Sequence, residues 1–162
     1  MVLNPAADFY DHLGMNLELL PLEASVLDVG SGTSKPTWSI VVASGRKLHG
    51  TDFFPVMIDL SKKQVPGGTF GLVNMIDFAP KEGPFDAAFA VFSLFHFSRE
   101  EMSIPAEKFN TWVAPGAYIF IGTMVAEDFQ PNQINSTGTG SRIGNLLYSK
   151  EGWAELLEKS GL

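Results

Sequence analysis

Residues 26–34 read Val26-Leu27-Asp28-Val29-Gly30-Ser31-Gly32-Thr33-Ser34, an apolar run that carries one carboxylate and opens into a glycine loop. Val26, Leu27 and Val29 suit a strand covered on both faces. Gly30 and Gly32 let the main chain turn sharply and leave room for a ligand where a Cβ would stand. A helix follows at once, so its free N–H groups face whatever lies over the loop.

The acid selects the ligand. A carboxylate at a strand tip repels a pyrophosphate and attracts the ammonium of an amino-acid moiety, which favours S-adenosylmethionine over a dinucleotide. Spacing agrees: Gly30-Ser31-Gly32-Thr33-Ser34-Lys35 lacks the third glycine of the dinucleotide fingerprint, and no Gly-Lys-Ser/Thr follows to make a phosphate loop. The plain alternative is an ordinary glycine turn, and a second motif weighs against it. Twenty-two residues after Gly30, the next strand-like run ends in His49-Gly50-Thr51-Asp52. That places a second carboxylate where a ribose diol would lie across the first turn, and a carboxylate accepts from both hydroxyls of a diol. The alternative for Asp52 is to cap the helix that begins at Pro55, and the two roles are compatible.

Composition narrows the field. The chain has 162 residues, 45% apolar, which fits one domain over residues 1–162 with a sizeable core. A net charge of −7 leaves no basic face for phosphates, so neither DNA nor RNA is expected as substrate or partner. No apolar run is long enough to span a bilayer and residues 1–5 lack a signal-peptide pattern, so no membrane association and a cytoplasmic location are expected. Without cysteine there are no disulfides, thiolate metal sites or cysteine nucleophiles. His12, His49 and His96 show no ligand spacing, so no metal is expected, and no Gly-x-Ser-x-Gly elbow occurs.

From Ser25 onward, strand-like runs alternate with helical patterns, as in an open, mostly parallel α/β sheet. Strands are expected near 25–30, 47–52, 69–74, 85–92 and 117–123. A first helix from Pro36 to Ser44 should place Trp38, Val41 and Val42 on one face, with Gly45 beyond its end. A second begins at Pro55, uses Met57, Ile58 and Leu60, and stops at Pro66-Gly67-Gly68. Ser98-Arg99-Glu100-Glu101 reads as a capping box, with Pro105 interrupting the helix before Phe109, Trp112 and Val113 resume an apolar face. Trp153, Leu156 and Leu157 share a face of a last helix that Gly161 ends. Residues 1–24 read as a helical lead-in. A loop is expected over 124–147, polar from Gln130 to Gly140.

With these motifs in order, the chain resembles class I S-adenosylmethionine-dependent methyltransferases over about residues 25–162, most of all the small stand-alone enzymes that act on metabolites. Val26 to Gly32 resembles the family's first motif, and His49 to Phe53 with Met57-Ile58 the second. Phe70-Gly71-Leu72-Val73-Asn74-Met75 is similar to the segment lining the adenine, Phe85 to His96 to the fourth strand and the residues just beyond it, and Ala114-Pro115-Gly116-Ala117 to the turn before the fifth. The resemblance implies a Rossmann-like sheet in the order 3-2-1-4-5, lacking the family's last two strands.

It also implies roles. Asp28, Gly30, Ser31 and Gly32 would hold the methionine end of S-adenosyl-L-methionine and Asp52 the ribose. Phe53 would pack on the adenine, with Asn74 and Met75 completing that site, and the Val91 carbonyl would receive the ammonium. Phe53 and Met75 are also suited to ordinary core positions, and Asn74 to ending a strand. For a hydroxyl acceptor a base is useful, and His96 stands just past the fourth strand; a packing histidine among Phe92, Phe95 and Phe97 is the alternative. Those phenylalanines, with Tyr10 and Trp38, are candidates for a substrate wall as well as for core.

The chain departs from the family at Ser34, where a third glycine is usual, so tight packing there is expected to suffer. Without the last two strands, Tyr118-Ile119-Phe120-Ile121 would be an open apolar edge, and a homo-oligomer joined through it is expected. The expected activity is methyl transfer to O, N or S of a small metabolite. A noncatalytic cofactor-binding module and a nicotinamide-dependent oxidoreductase are the rivals, the latter disfavoured by Asp28.

Overall fold

A computed structural model describes residues 13–14, 17–35, 37–81, 83–94, 97–123 and 148–162. Five parallel strands form one sheet: β1 (Ser25–Val29), β2 (Lys47–Asp52), β3 (Thr69–Leu72), β4 (Phe85–Val91) and β5 (Val113–Gly122), in the order β3-β2-β1-β4-β5. Helices α1 (Thr37–Ala43), α2 (Pro55–Gln64), α3 (Ser103–Trp112) and α4 (Lys150–Lys159) accompany it, with a 3-10 turn at Met75–Asp77. The chain runs outward from β1 to β3 and then returns to β4 on the other side of β1. Strand order therefore reverses at the carboxyl end of β1, where a crevice opens in sheets of this type.

The central strands are covered on both faces. Val26 of β1 and Ala87 and Phe89 of β4 join Trp38, Val41, Leu13 and Leu17 in one buried cluster. Leu27 and Val29 of β1 and Ala88 and Ala90 of β4 join Phe109, Trp112 and Phe78 in the other. Alternation along each strand thus feeds two layers, as the unbroken apolar runs imply. The Trp112 indole N–H donates to the Phe78 carbonyl at 3.1 Å. Trp38 is fully buried beside Phe70, ring centroids 4.3 Å apart, so it is core and not a substrate wall. The described part of the lead-in is helical at Leu13, Gly14 and Leu17, and Leu13, Leu17 and Leu20 are buried. The Arg46 guanidinium ties it down by donating to the carbonyls of Leu20 and Ser44.

Several boundaries differ from expectation. β5 begins at Val113, not 117, because Pro115-Gly116 forms a bulge within the strand: Phe85 pairs with Val113 and Ala87 with Tyr118. β3 ends at Leu72, and the chain then turns into the 3-10 segment. Pro105 does not interrupt α3. The helix starts only at Ser103, so Pro105 falls in its first turn, where a missing N–H breaks no helical bond. The Ser98/Glu101 box does form, with reciprocal bonds of 3.0 and 3.3 Å, but it frames a turn ahead of that helix. Val42 is exposed and leaves Trp38 and Val41 as the inner face of α1, while Leu60 sits at the rim of α2. On α4 no residue is fully buried; Trp153 and Leu156 pack on the second cluster as half-buried residues.

Candidate functional site

Adjacent strands bring the two acids together. Asp28 pairs with Gly50 in register, and Asp52 lies two residues further along β2. Asp28 shares its face with Val26 and is buried, and among the described residues no hydrogen-bond donor reaches its carboxylate. Burial pushes its pKa up to about 7, with a further push from the Asp52 charge. Asp52 is also buried but satisfied. One carboxylate oxygen accepts from the Gly32 N–H at 2.9 Å and the other from the Phe54 N–H at 2.9 Å. It braces the glycine loop and the entry to α2 at once, although Phe54 occupies the N-cap position itself.

The loop has the backbone that its glycines permit. Gly30 and Gly32 have φ of +67° and +54°. A Cβ on Gly30 would strike the Ser93 Cβ and come within 3.3 Å of the Met75 Cε, whereas one on Gly32 would meet nothing within 4 Å. Among the described residues, that space is free. Ser31 donates its N–H to the Thr51 carbonyl at 2.9 Å, and its hydroxyl turns inward toward Gly50.

Around the rim, Phe53 stacks on Phe54 with centroids 3.9 Å apart, both rings close to half exposed. Asn74 is exposed, and its side-chain oxygen accepts from the Ile76 N–H at 3.2 Å, so it caps the 3-10 turn. Met75 is buried beneath Gly30. Val91 ends β4 opposite Gly122. His96, Phe95 and Tyr10 lie outside the described residues, as do Pro36 and the 124–147 segment. No cluster of His, Cys, Asp or Glu suited to a metal occurs among the described residues.

Ser93 and Thr51 stand here beside Ser31, although the sequence singles out neither as a candidate. Ser93 is buried against Gly30, and among the described residues its hydroxyl and those of Thr51 and Ser31 have no hydrogen-bond partner. Phe92 stands at φ +50° beside the Val91 tip, half exposed, its N–H donating to the Gly122 carbonyl at 2.7 Å. No periodicity marks these positions; the strained phenylalanine is visible only in the backbone. Among the described residues, an acid without a donor, three buried hydroxyls without partners and free space beside Gly32 are compatible with a polar ligand bearing an ammonium.

Two buried acids on neighbouring strands thus stand at the switch point of a Rossmann-like α/β sheet. The chain belongs to the methyltransferase domain family, whose pattern it matches over residues 26–116. S-adenosyl-L-methionine is the cofactor that goes with this assignment. No curated protein matches the sequence. Among solved structures, a TehB-like SAM-dependent methyltransferase from Corynebacterium glutamicum is 17% identical with a TM-score of 0.67, over 97% of this chain and 84% of its own. The SAM-bound amino pentose methyltransferase CalS10 from Micromonospora echinaspora is 21% identical, TM-score 0.64, over 79% of this chain and 55% of its own. The [4+2]-cyclase SpnF is 19% identical, TM-score 0.71, over 96% of this chain and 57% of its own. At these identities the likeness is one of fold, and this chain spans little more than half the length of the last two.

Proposed function

We propose that this chain binds S-adenosylmethionine in the crevice above β1, β2 and β4 and transfers its methyl group to O, N or S of a small metabolite. The observation that carries the reading is the buried pair of acids: Asp28 has no donor among the described residues, and Asp52 fixes the loop. Asp28, with Ser93 and the Val91 carbonyl nearby in the fold, would receive the ammonium, and Gly30, Ser31 and Gly32 would let the methionine end approach the main chain. Asp52 keeps lone pairs for ribose hydroxyls beyond its two N–H donors. Phe53 would cover the adenine, with Asn74 and Met75 at its edge.

The sulfonium of the bound cofactor supplies an already activated methyl group. The protein's task is then to align an acceptor and exclude water, an orientation effect worth up to about 7 to 11 kcal/mol. No side-chain base is obligatory for a reactive nucleophile. For a hydroxyl acceptor we propose His96 as the base; loss of activity in His96→Ala, regained at high pH, would support it, and an unchanged rate would end it.

The net charge of −7 supports a small-molecule acceptor over a nucleic acid. No helix among the described residues is long and apolar enough to cross a membrane. A cytoplasmic location and a single domain over residues 1–162 complete the proposal. Self-association through β5 is part of it too: among the described residues that strand is a sheet edge, and a groove of about 1050 Å³ runs along it, lined by Ala117, Ile119, Ile121, Trp153, Leu157 and Leu162.

Calorimetric titration with S-adenosylhomocysteine and with NAD, followed by transfer from methyl-labelled donor to a metabolite panel, tests the reading. Binding of the first ligand with turnover supports it. Tight NAD binding would replace it with an oxidoreductase, and binding without turnover would leave a noncatalytic module.

A further inference from the structure

Ser34 occupies a left-handed position, φ +66°, that ordinarily suits glycine, and it is buried. Its surroundings account for its tolerance there. The Ser61 hydroxyl, fully buried on the inner face of α2, donates to the Gly32 carbonyl at 2.9 Å and lies 2.9 Å from the Ser34 hydroxyl. With the Ser61 proton directed to Gly32, Ser34 is the donor between the two hydroxyls. The Ser31 carbonyl lies further from the Ser34 hydroxyl, at 3.4 Å.

A serine inside a helix usually bonds back to its own helix or faces water. Ser61 instead reaches 29 residues back along the chain, to the loop. Among the described residues nothing lies within 4 Å of where a Gly32 Cβ would stand. The peptide is held by hydrogen bonds at both its polar atoms: Asp52 accepts from its N–H and Ser61 donates to its carbonyl.

We infer that Ser61 is a positioning residue for cofactor binding: through its hydroxyl, supported by Ser34, helix α2 fixes the Gly32 peptide that the ligand must approach. The clamp explains how the chain dispenses with a glycine at position 34. Ser34 trades backbone ease for a second hydrogen bond that orients Ser61. This rests on the crevice being the cofactor site.

The test is the affinity for S-adenosylhomocysteine, by calorimetry well below the melting temperature, for the unchanged chain, Ser61→Ala, Ser61→Thr and Ser34→Ala. Removing the Ser61 hydroxyl takes the donor from the Gly32 carbonyl and leaves the buried Ser34 hydroxyl only the longer contact to the Ser31 carbonyl, and should weaken binding about tenfold. Ser61→Thr keeps the donor and should recover most of that. Ser34→Ala should weaken binding about threefold by loosening the support, and it carries the test should Ser61→Ala not fold. Weakening in either alanine variant, with recovery in Ser61→Thr, supports the clamp. Unchanged affinity in every folded alanine variant, even with a lowered melting temperature, overturns it and leaves the cofactor reading standing. No binding by the unchanged chain would instead remove the cofactor reading and the clamp with it.

Discussion

The tips of β1 and β2 and the outer edge at β5 are built differently, though both belong to one sheet. At the tips, Gly32 is held at its N–H and its carbonyl, Ser31 at its N–H, and both acids are buried. At the edge, Tyr118 is exposed, α4 has no fully buried residue, and a wide groove separates that helix from the strand. The difference accords with the tasks proposed for the two regions. A site for one fixed cofactor benefits from a preset main chain, whereas an edge strand with unpaired backbone groups is a surface that something else can cover.

Substitutions sharpen this contrast. The largest effect is expected from Asp52→Ala, which deprives two N–H groups of a charged acceptor, each bond worth about 1.5 to 3 kcal/mol. Affinity for S-adenosylhomocysteine should fall at least about a hundredfold by calorimetry; a change of only a few-fold would mean that the brace does not shape the site.

Next come two glycines with the same handedness in opposite regions. Gly30→Ala adds backbone strain and a collision with Ser93, so the melting temperature should drop by about 5 to 15 °C. Gly116→Ala, at φ +80° with nothing within 4 Å, adds strain alone, about 2 to 4 °C. Equal losses in thermal scans would erase the distinction between a packed tip and an open edge.

Asp28 gives the tip region a pH signature. Its pKa is raised from 3.8 to about 7, so folding holds a proton that the unfolded chain releases. Stability of the free protein should therefore fall as pH rises through that window and level off above about 7. A cationic ammonium favours the ionised acid, so cofactor affinity should rise over the same window, by up to about tenfold per pH unit. Asp28→Asn should flatten both slopes. Parallel slopes in the substituted and unchanged proteins would assign the pH response to other groups.

The smallest effect on the site is expected from Ala117→Lys on β5. It should reduce self-association in sedimentation velocity while leaving cofactor affinity within about twofold. An unchanged sedimentation coefficient would remove the edge from the account.

Much of the tip region is readable from the chain because its determinants are local. Val26 to Gly32 gives strand, acid and turn in seven residues, and Asp52 ends the next strand. The clamp is not readable, because Ser34 and Ser61 meet only after α2 folds back, and Ser93 reaches Gly30 only once β4 pairs with β1. The missing third glycine predicts poor packing at Ser34, yet that side chain is buried and hydrogen-bonded. Edge features misled for a related reason. Pro115-Gly116 reads as a turn because its residues are those of turns, but cross-strand pairing on both sides makes it a bulge. Pro105 reads as a break only if the helix starts at Ser98; its later start at Ser103 removes the conflict.

A crystal structure of the chain with S-adenosylhomocysteine tests the central claim most directly, because crevice and groove are offered the ligand together. The ligand's ammonium should lie within hydrogen-bond reach of the Asp28 carboxylate and its ribose hydroxyls within reach of Asp52, with the groove along β5 free of it. A ligand seated along β5, or a crevice closed by its own side chains, would contradict the account.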